Sequence, residues 1–422
     1  MVKGFCIMVL LGVALFPIQS QAQSAESLDR LLNDYNEFLH IHPPVTLRID
    51  FKTYINALLG EVDVNEQLTF FESIQERLLS IEIKELSNEE QFDHQFLSFE
   101  SALQIEKCRL IASAGKKKLS TEPKIFDFPQ GSIWYQYLVK KWTGSDLSMN
   151  QIYNLGLAEI ERVKNHIQQL DIKEEIPSSN FTNNRSIIEK SIHAKLSKVE
   201  TQFGKLLPKF SRMPSLNVAR GRNVALAQTP AYYSNNTFYY NLFDKPFNLS
   251  DVDFLLIHEG IPGHHYQRNY HSQLYIPEHI ALSPSMGFIE GWAAYTENLG
   301  WELGLYQTPF EELSKWNWDL IRSARVVMDI GLNYHGWSDD EALSFWKEHI
   351  RGQDDIALRE INRMKRWPAQ VLTYKLGDIA IRQALAIAKT SGDFDYLTFH
   401  RKLLSKGPIP VHLMATLMQD II

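Results

Sequence analysis

The chemistry-bearing residues gather at 258–267, His258-Glu259-Gly260-Ile261-Pro262-Gly263-His264-His265-Tyr266-Gln267, directly after the apolar run Leu255-Leu256-Ile257. Imidazole is the commonest zinc ligand, and a glutamate beside a metal-activated water is the usual hydrolytic base. In the familiar His-Glu-x-x-His pattern, one helix sets both imidazoles on a single face. Here Pro262 stands where the second imidazole would be, so the pattern departs from that form. On an uninterrupted helix His265 would lie within about 20° of the face of His258, and His264 far round. Pro262 forbids such a helix, because it lacks an amide hydrogen and drives Ile261 away from helical dihedrals. If residues 260–263 form a bulge, His264 takes the second place instead. Periodicity leaves both histidines open.

A third ligand from a separate helix, some distance downstream, leaves the fourth position of zinc open for water. Glu290, in Gly287-Phe288-Ile289-Glu290-Gly291-Trp292-Ala293-Ala294-Tyr295-Thr296-Glu297, has that placement. Glu297 falls nearly two helical turns later on the same face, where it suits the orientation of a ligating imidazole.

The elements that must position these groups read as helices for the most part. Apolar spacing predicts helices over 28–39, stopped by Pro43-Pro44, and over 64–79 and 89–110. Ser148-x-x-Gln151 has the form of a capping box opening a helix with Ile152, Leu155, Ile160 and Val163 on one side. A polar loop over 171–185 precedes an amphipathic helix from 187 towards 207. Ser234-Asn235-Asn236 is turn chemistry before an aromatic strand over 237–243, and Ser250-x-x-Asp253 suits the cap of the His258 helix. A strand edge beside the metal can hold an extended peptide by its main chain, with Tyr232, Tyr233 and Tyr239 as candidates to line the cleft. The expected fold is mainly α, a large helical fold with a small β-sheet or hairpin beside the metal site. The expected division is a leader at 1–22, a helical scaffold at 23–219 and a catalytic region at 220–422, the last two sharing one core.

Of the 422 residues, 44% are hydrophobic and 22% charged, which is globular composition, and the net charge of -7 argues against nucleic-acid or polybasic membrane binding. Lys3, the apolar run at 5–16 and Ser20-Gln21-Ala22 read as an export leader cleaved before Gln23. The run is short for a bilayer span, so a periplasmic or secreted protein without stable membrane insertion is expected. Cys6 leaves with the leader and Cys108 remains alone, which excludes a disulfide framework.

Taken together, residues 258–267, Phe288-x-Glu290-Gly291-Trp292-Ala293-x-Tyr295-x-Glu297, Asp329-x-Gly331-Leu332 and Gly336-Trp337-Ser338 resemble the bacterial domain-of-unknown-function 885 family. So does Glu360-Ile361-x-Arg363-x-x-x-Trp367-Pro368-x-Gln370-x-Leu372-x-Tyr374-Lys375-x-Gly377. The resemblance implies a helical, gluzincin-like fold with a zinc site. Its invariant histidine follows Pro-Gly directly, which favours His264 as ligand and leaves His265 beside it. Two positions depart from the family pattern: Asn333 replaces a histidine, and Ala369 a glycine.

These residues and the resemblance point to a zinc peptidase. His258, His264 and Glu290 would hold zinc, Glu259 would be the base, and Tyr374 would donate to the oxyanion with help from His335 or Asn333. One of Arg322, Arg325, Arg363 and Lys375 would clamp a substrate carboxylate, although Arg325 also has ion-pair spacing to Asp329. The same site would suit another amide or ester. The alternative class is a weakly active zinc-binding relic acting as a binding protein, motivated by Asn333. Oligomeric state is not legible.

Overall fold

Helices take 68% of the described residues and strands 4%, so the mainly α architecture expected from the periodicity holds. The computed structural model describes residues 15–418 except 48–49, 62, 115–123, 211, 228, 244, 352 and 391, with side chains from residue 23 onward. The expected leader lies outside the described residues up to residue 14. No helix among the described residues is long and apolar enough to cross a membrane.

Residues 1–46 and 57–118 form one unit, and residues 47–56 and 119–422 another. In the first, α1 (Leu15–Ile41), α3 (Val64–Leu79) and α4 (Asn88–Ala114) contain the three helices read from apolar spacing; α2 (Phe51–Leu58) crosses the boundary. Their apolar faces are buried through Leu28, Leu31, Tyr35 and Leu39, Phe71, Ile74 and Leu78, and Phe92, Phe96 and Leu97. Each such side chain contributes roughly 1.5–3 kcal/mol by leaving water, which is how amphipathic spacing becomes a packed unit.

The second unit opens with α5 (Gly131–Thr143) and α6 (Met149–Gln169). The capping box before α6 is formed: the Gln151 amide donates to Ser148 Oγ at 3.4 Å, and the Ser148 amide to Gln151 Oε1 at 2.9 Å. The loop expected over 171–185 carries one short strand, β1 (Phe181–Thr182), and Asn184 then caps α7 (Arg185–Gln202). A three-stranded sheet follows, with β2 (Asn217–Arg220) parallel to β4 (Thr237–Tyr240) and β3 (Ala231–Ser234) antiparallel to it, in the order β2-β4-β3. Asn235 and Asn236 turn β3 into β4 at φ 47° and 56°, a left-handed conformation that asparagine tolerates. β3 is therefore an edge strand. β5 (Phe247–Asn248) pairs with β1.

The cap expected from Ser250-x-x-Asp253 is not used. A 3-10 turn at Leu249–Asp251 leads into α8 (Val252–Glu259), and Ser250 Oγ accepts from Asn180 Nδ2 at 2.7 Å. Asp253 instead accepts on Oδ2 from Lys195 Nζ at 3.0 Å and from the Tyr306 amide at 2.8 Å. After α8 come α9 (His264–His271), α10 (Glu278–Leu282), α11 (Met286–Thr296) and α12 (Pro309–Ile330), the last running into a π-helical segment at Gly331–His335. The chain ends with α13 (Asp339–His349), α14 (Asp354–Arg366), α15 (Leu372–Ala388), α16 (Tyr396–Leu404) and α17 (Met414–Leu417). α11 lies along α15 at very short range: a Cβ on Gly291 would come 2.3 Å from Gly377 Cα. Only glycines allow this approach, and it brings Glu290 of α11 and Tyr374 of α15 to one place.

Candidate metal centre

Pro262 and its neighbours break one helix into two. The Gly260 amide closes α8 onto Leu256 O and the Gly263 amide reaches Ile257 O, each at 2.8 Å, before the chain turns into α9 at His264. A Cβ on Gly263 would meet His258 O at 1.9 Å, so the break requires glycine there. Trp292 on α11, fully buried, donates from Nε1 to Pro262 O at 2.9 Å and fixes the break from the far side.

The bulge decides between the two histidines. His258, His264 and Glu290 each bring a ligand atom to within 4.8 Å of the others. The rings of His258 and His264 lie 5.0 Å apart at 90°, and His264 Nε2 is 3.4 Å from Glu290 Oε2. His265 points elsewhere, its Nε2 to Pro214 O at 2.9 Å and its Nδ1 to the Tyr233 hydroxyl at 3.3 Å. The side chains of His264 and Glu290 keep 17% and 15% of their exposure, which leaves the cluster one accessible face.

The groups around this cluster tune it. Glu297 accepts from His258 Nδ1 at 2.8 Å, which turns the other nitrogen of that imidazole toward the cluster. Arg322 Nη1 holds the second Glu297 oxygen at 2.6 Å, and the Tyr306 hydroxyl donates to Glu297 O at 2.9 Å. Burial raises the Glu259 carboxyl and the Glu290 charge adds to this, against the two histidines and the Tyr233 backbone amide that donates to it. Burial also raises Glu290, but the hydrogen bond and charge of His264, with His258 and Arg363, outweigh it and hold the carboxyl at about 2. Burial lowers His264, yet Glu290 and Glu259 overcome that and raise it. Two carboxylates thus face His264, and among the described residues neither of them forms an ion pair with a lysine or arginine. Two nitrogens, one carboxylate oxygen, an orienting carboxylate and an accessible face fit zinc.

Tyr374 lies against His258 of this cluster. Its ring stacks on His258 at 6.2 Å and 22°, and Arg363 Nη2 donates to its hydroxyl at 3.2 Å. Burial and the Glu290 charge raise its phenol, against Arg363.

Other expected site residues are used differently. Asn333, buried, donates from Nδ2 to Asp329 Oδ1 at 3.0 Å and to Met364 O at 3.1 Å, so both amide hydrogens are engaged away from the cluster. His335 is exposed, its ring against Tyr153 at 5.5 Å. Arg322, buried, is paired with Glu297. Lys375, 1% exposed, donates to Glu159, Asp319 and Asp378. Arg325 pairs with Glu360 at 2.8 Å, because Asp329 is taken by the Tyr135 hydroxyl and the Ala369 amide. Tyr232 and Tyr239 stack on each other at 4.9 Å, on the sheet face opposite the pair Tyr233 and Phe238. The Tyr233 ring, on the other face, lies 5.5 Å from His265, and its amide meets Glu259. Sequence reading did not single out Gln370, whose Oε1 accepts from Arg363 Nε at 3.2 Å and Nη2 at 2.7 Å.

Two solved structures share this fold. A candidate lipoprotein from Colwellia psychrerythraea aligns with TM-score 0.64 at 24% identity, over 84% of this chain and 66% of its own. This chain therefore spans just under two thirds of that protein. A candidate lipoprotein of unknown function from Shewanella oneidensis aligns with TM-score 0.62 at 16% identity, over 95% of this chain and 99% of its own. At such identities the likeness speaks for the fold alone. No curated protein matches the chain. Residues 105–418, most of the chain and all of the cluster, match the family described as bacterial proteins of unknown function (DUF885), and the chain belongs to that family.

Proposed function

We propose that this chain is an exported, zinc-dependent peptidase. The observation that carries the reading is the convergence of His258, His264 and Glu290 beside Glu259, a buried carboxyl whose pKa is raised. His258, His264 and Glu290 would hold the ion, which when bound supplies Lewis acidity toward a water and a carbonyl. Glu259 takes the proton of the attacking water; its raised pKa suits it to accept that proton and pass it to the leaving amine. The Tyr233 amide faces the Glu259 carboxyl, and the β3 edge is available to an extended peptide main chain. Tyr374 receives a hydrogen bond from Arg363, so its own hydrogen points elsewhere and serves the developing oxyanion. Export accords with the lipoprotein descriptions of the two structural neighbours.

Asn333 motivates a second reading, a zinc-holding binding protein without turnover. Its engaged amide makes it a part of the helix packing, which weakens that motive. Purification without chelators, followed by zinc analysis and hydrolysis of a mixed peptide library, separates the two. Turnover that Glu259→Gln abolishes supports the peptidase; unchanged turnover in that variant refutes the mechanism. Zinc with no cleavage of peptide or ester leaves the second reading standing.

A further inference from the structure

Four cations lie in or near the motifs around the cluster, and the structure sorts them by partner. Arg322 is held by Glu297, Lys375 by three carboxylates, and Arg325 by Glu360. Arg363 differs from these. Its hydrogen bonds go to the Gln370 side-chain oxygen and the Tyr374 hydroxyl, both neutral, and no carboxylate among the described residues forms an ion pair with it. Those bonds engage Nε and Nη2 and leave Nη1 with two hydrogens for an acceptor that the described chain does not supply.

The surrounding charge is unbalanced in the same direction. Arg325 and Arg359 both pair with Glu360, at 2.8 and 2.7 Å, and Arg363 follows one helical turn later on α14. Arg363 also faces Glu360, so three guanidinium groups surround a carboxylate that pairs with only two of them; Arg359 keeps 27% of its exposure and Arg363 is half-buried. Arg363 also faces Glu290, whose carboxyl it helps to lower but which the proposed ligand set uses, and Asp329, which the Tyr135 hydroxyl and the Ala369 amide engage. Through Tyr374, whose ring stacks on His258, Arg363 sits at the rim of the reacting zone. A desolvated cation with spare donors beside a hydrolytic centre recognises an anion of the substrate.

We infer that Arg363 binds a carboxylate of the substrate, so that the site takes peptides cut close to a free C-terminus. The position of the cut rests on the peptidase reading above; the carboxylate recognition does not. Gln370 is the positioning residue, because its oxygen fixes the guanidinium plane through two hydrogen bonds.

The test reads binding rather than turnover. Alanine peptides of two to six residues, as free acids and as C-terminal amides, are titrated calorimetrically into Glu259→Gln protein as purified. A third set carries glutamate inside a C-terminally amidated peptide and separates a side-chain carboxylate from the terminal one. The free acids should bind about 10- to 100-fold more tightly than the amides, the range expected for a charged hydrogen bond, with the internal glutamate failing to restore the difference. Arg363→Met in the same background should bring acid and amide to equal affinity, while Arg363→Lys keeps part of the preference and zinc content stays unchanged in both. Equal binding of acid and amide by the Glu259→Gln chain overturns the inference without any further variant. So does a preference that survives Arg363→Met, a preference restored by the internal glutamate, or no binding of any peptide. Loss of hydrolysis in the wild type would refute the peptidase reading alone.

Discussion

Two acidic clusters in the same unit look alike by distance and differ in what fills them. His258, His264 and Glu290 bring three ligand atoms within 4.8 Å of one another, and so do Glu159, Asp319 and Asp378. In the second cluster Lys375 donates to all three carboxylates, Arg162 joins Glu159 to Asp319, and Arg382 joins Glu159 to Asp378. Burial raises each of these acids, but Lys375 and the neighbouring cations outweigh it and hold all three below the ordinary carboxylate range. In the first cluster the positive charge near Glu259 and Glu290 comes first from imidazole, a group that can be neutral and a ligand, with Arg363 adding to it at Glu290. Closeness of carboxylates is therefore not a metal site by itself. A chain that supplies its own ammonium has built an ionic lock between α6, α12 and α15; a chain that supplies imidazoles has left room for a divalent ion.

The sharpest way to break this comparison is to remove the base from the first cluster. Glu259→Gln should lower peptide hydrolysis by roughly 10²–10⁴-fold while zinc content stays the same, as measured by initial rates and elemental analysis. Next is the lock. Lys375→Met leaves three buried carboxylates without their central cation and should cost about 3–5 kcal/mol in a denaturant titration, with zinc per folded chain unchanged. Zinc lost together with Lys375 would mean the two clusters are not separate. Third, Glu297→Gln should loosen zinc by about 10- to 100-fold in a chelator competition, since His258 loses its charged orienting partner.

The smallest effect is a difference in pH response. The three lock acids are depressed, so their contribution is present above the unfolded pKa near 4 and is lost as pH falls below it. The gap in melting temperature between wild type and Lys375→Met should then narrow below about pH 4 and stay constant from about pH 5 to 8. Zinc should leave at milder acidity, because imidazole ligands must be deprotonated to bind. A lock and a zinc site failing at one pH would contradict the distinction.

How much of this was legible in the chain follows the same divide. The candidate ligands, the proposed base and Glu297 sit in local motifs, whereas the cap expected from Ser250-x-x-Asp253 for the His258 helix is not formed. What periodicity left open was the choice between His264 and His265, because it depends on how residues 260–263 turn; the resemblance leaned to His264. The lock was not legible, since Lys375 meets Glu159 across 216 positions of sequence. Asn333 and His335 both lie in the π-helical segment Gly331–His335, the first bonded to Asp329 and Met364 and the second exposed, and neither placement was legible from local spacing. The aromatic strand beginning at 237 was legible but its partner β3 was not, so neither was the face that Tyr233 presents to His265.

The central claim is that the break at Pro262 hands the second ligand position to His264, and zinc stoichiometry tests it most directly. Wild type, His264→Ala and His265→Ala are purified without chelators, checked for folding by circular dichroism and analysed for zinc per chain. The account predicts about one zinc in wild type and in His265→Ala and a near-complete loss in His264→Ala. Zinc retained by His264→Ala and lost from His265→Ala would contradict it.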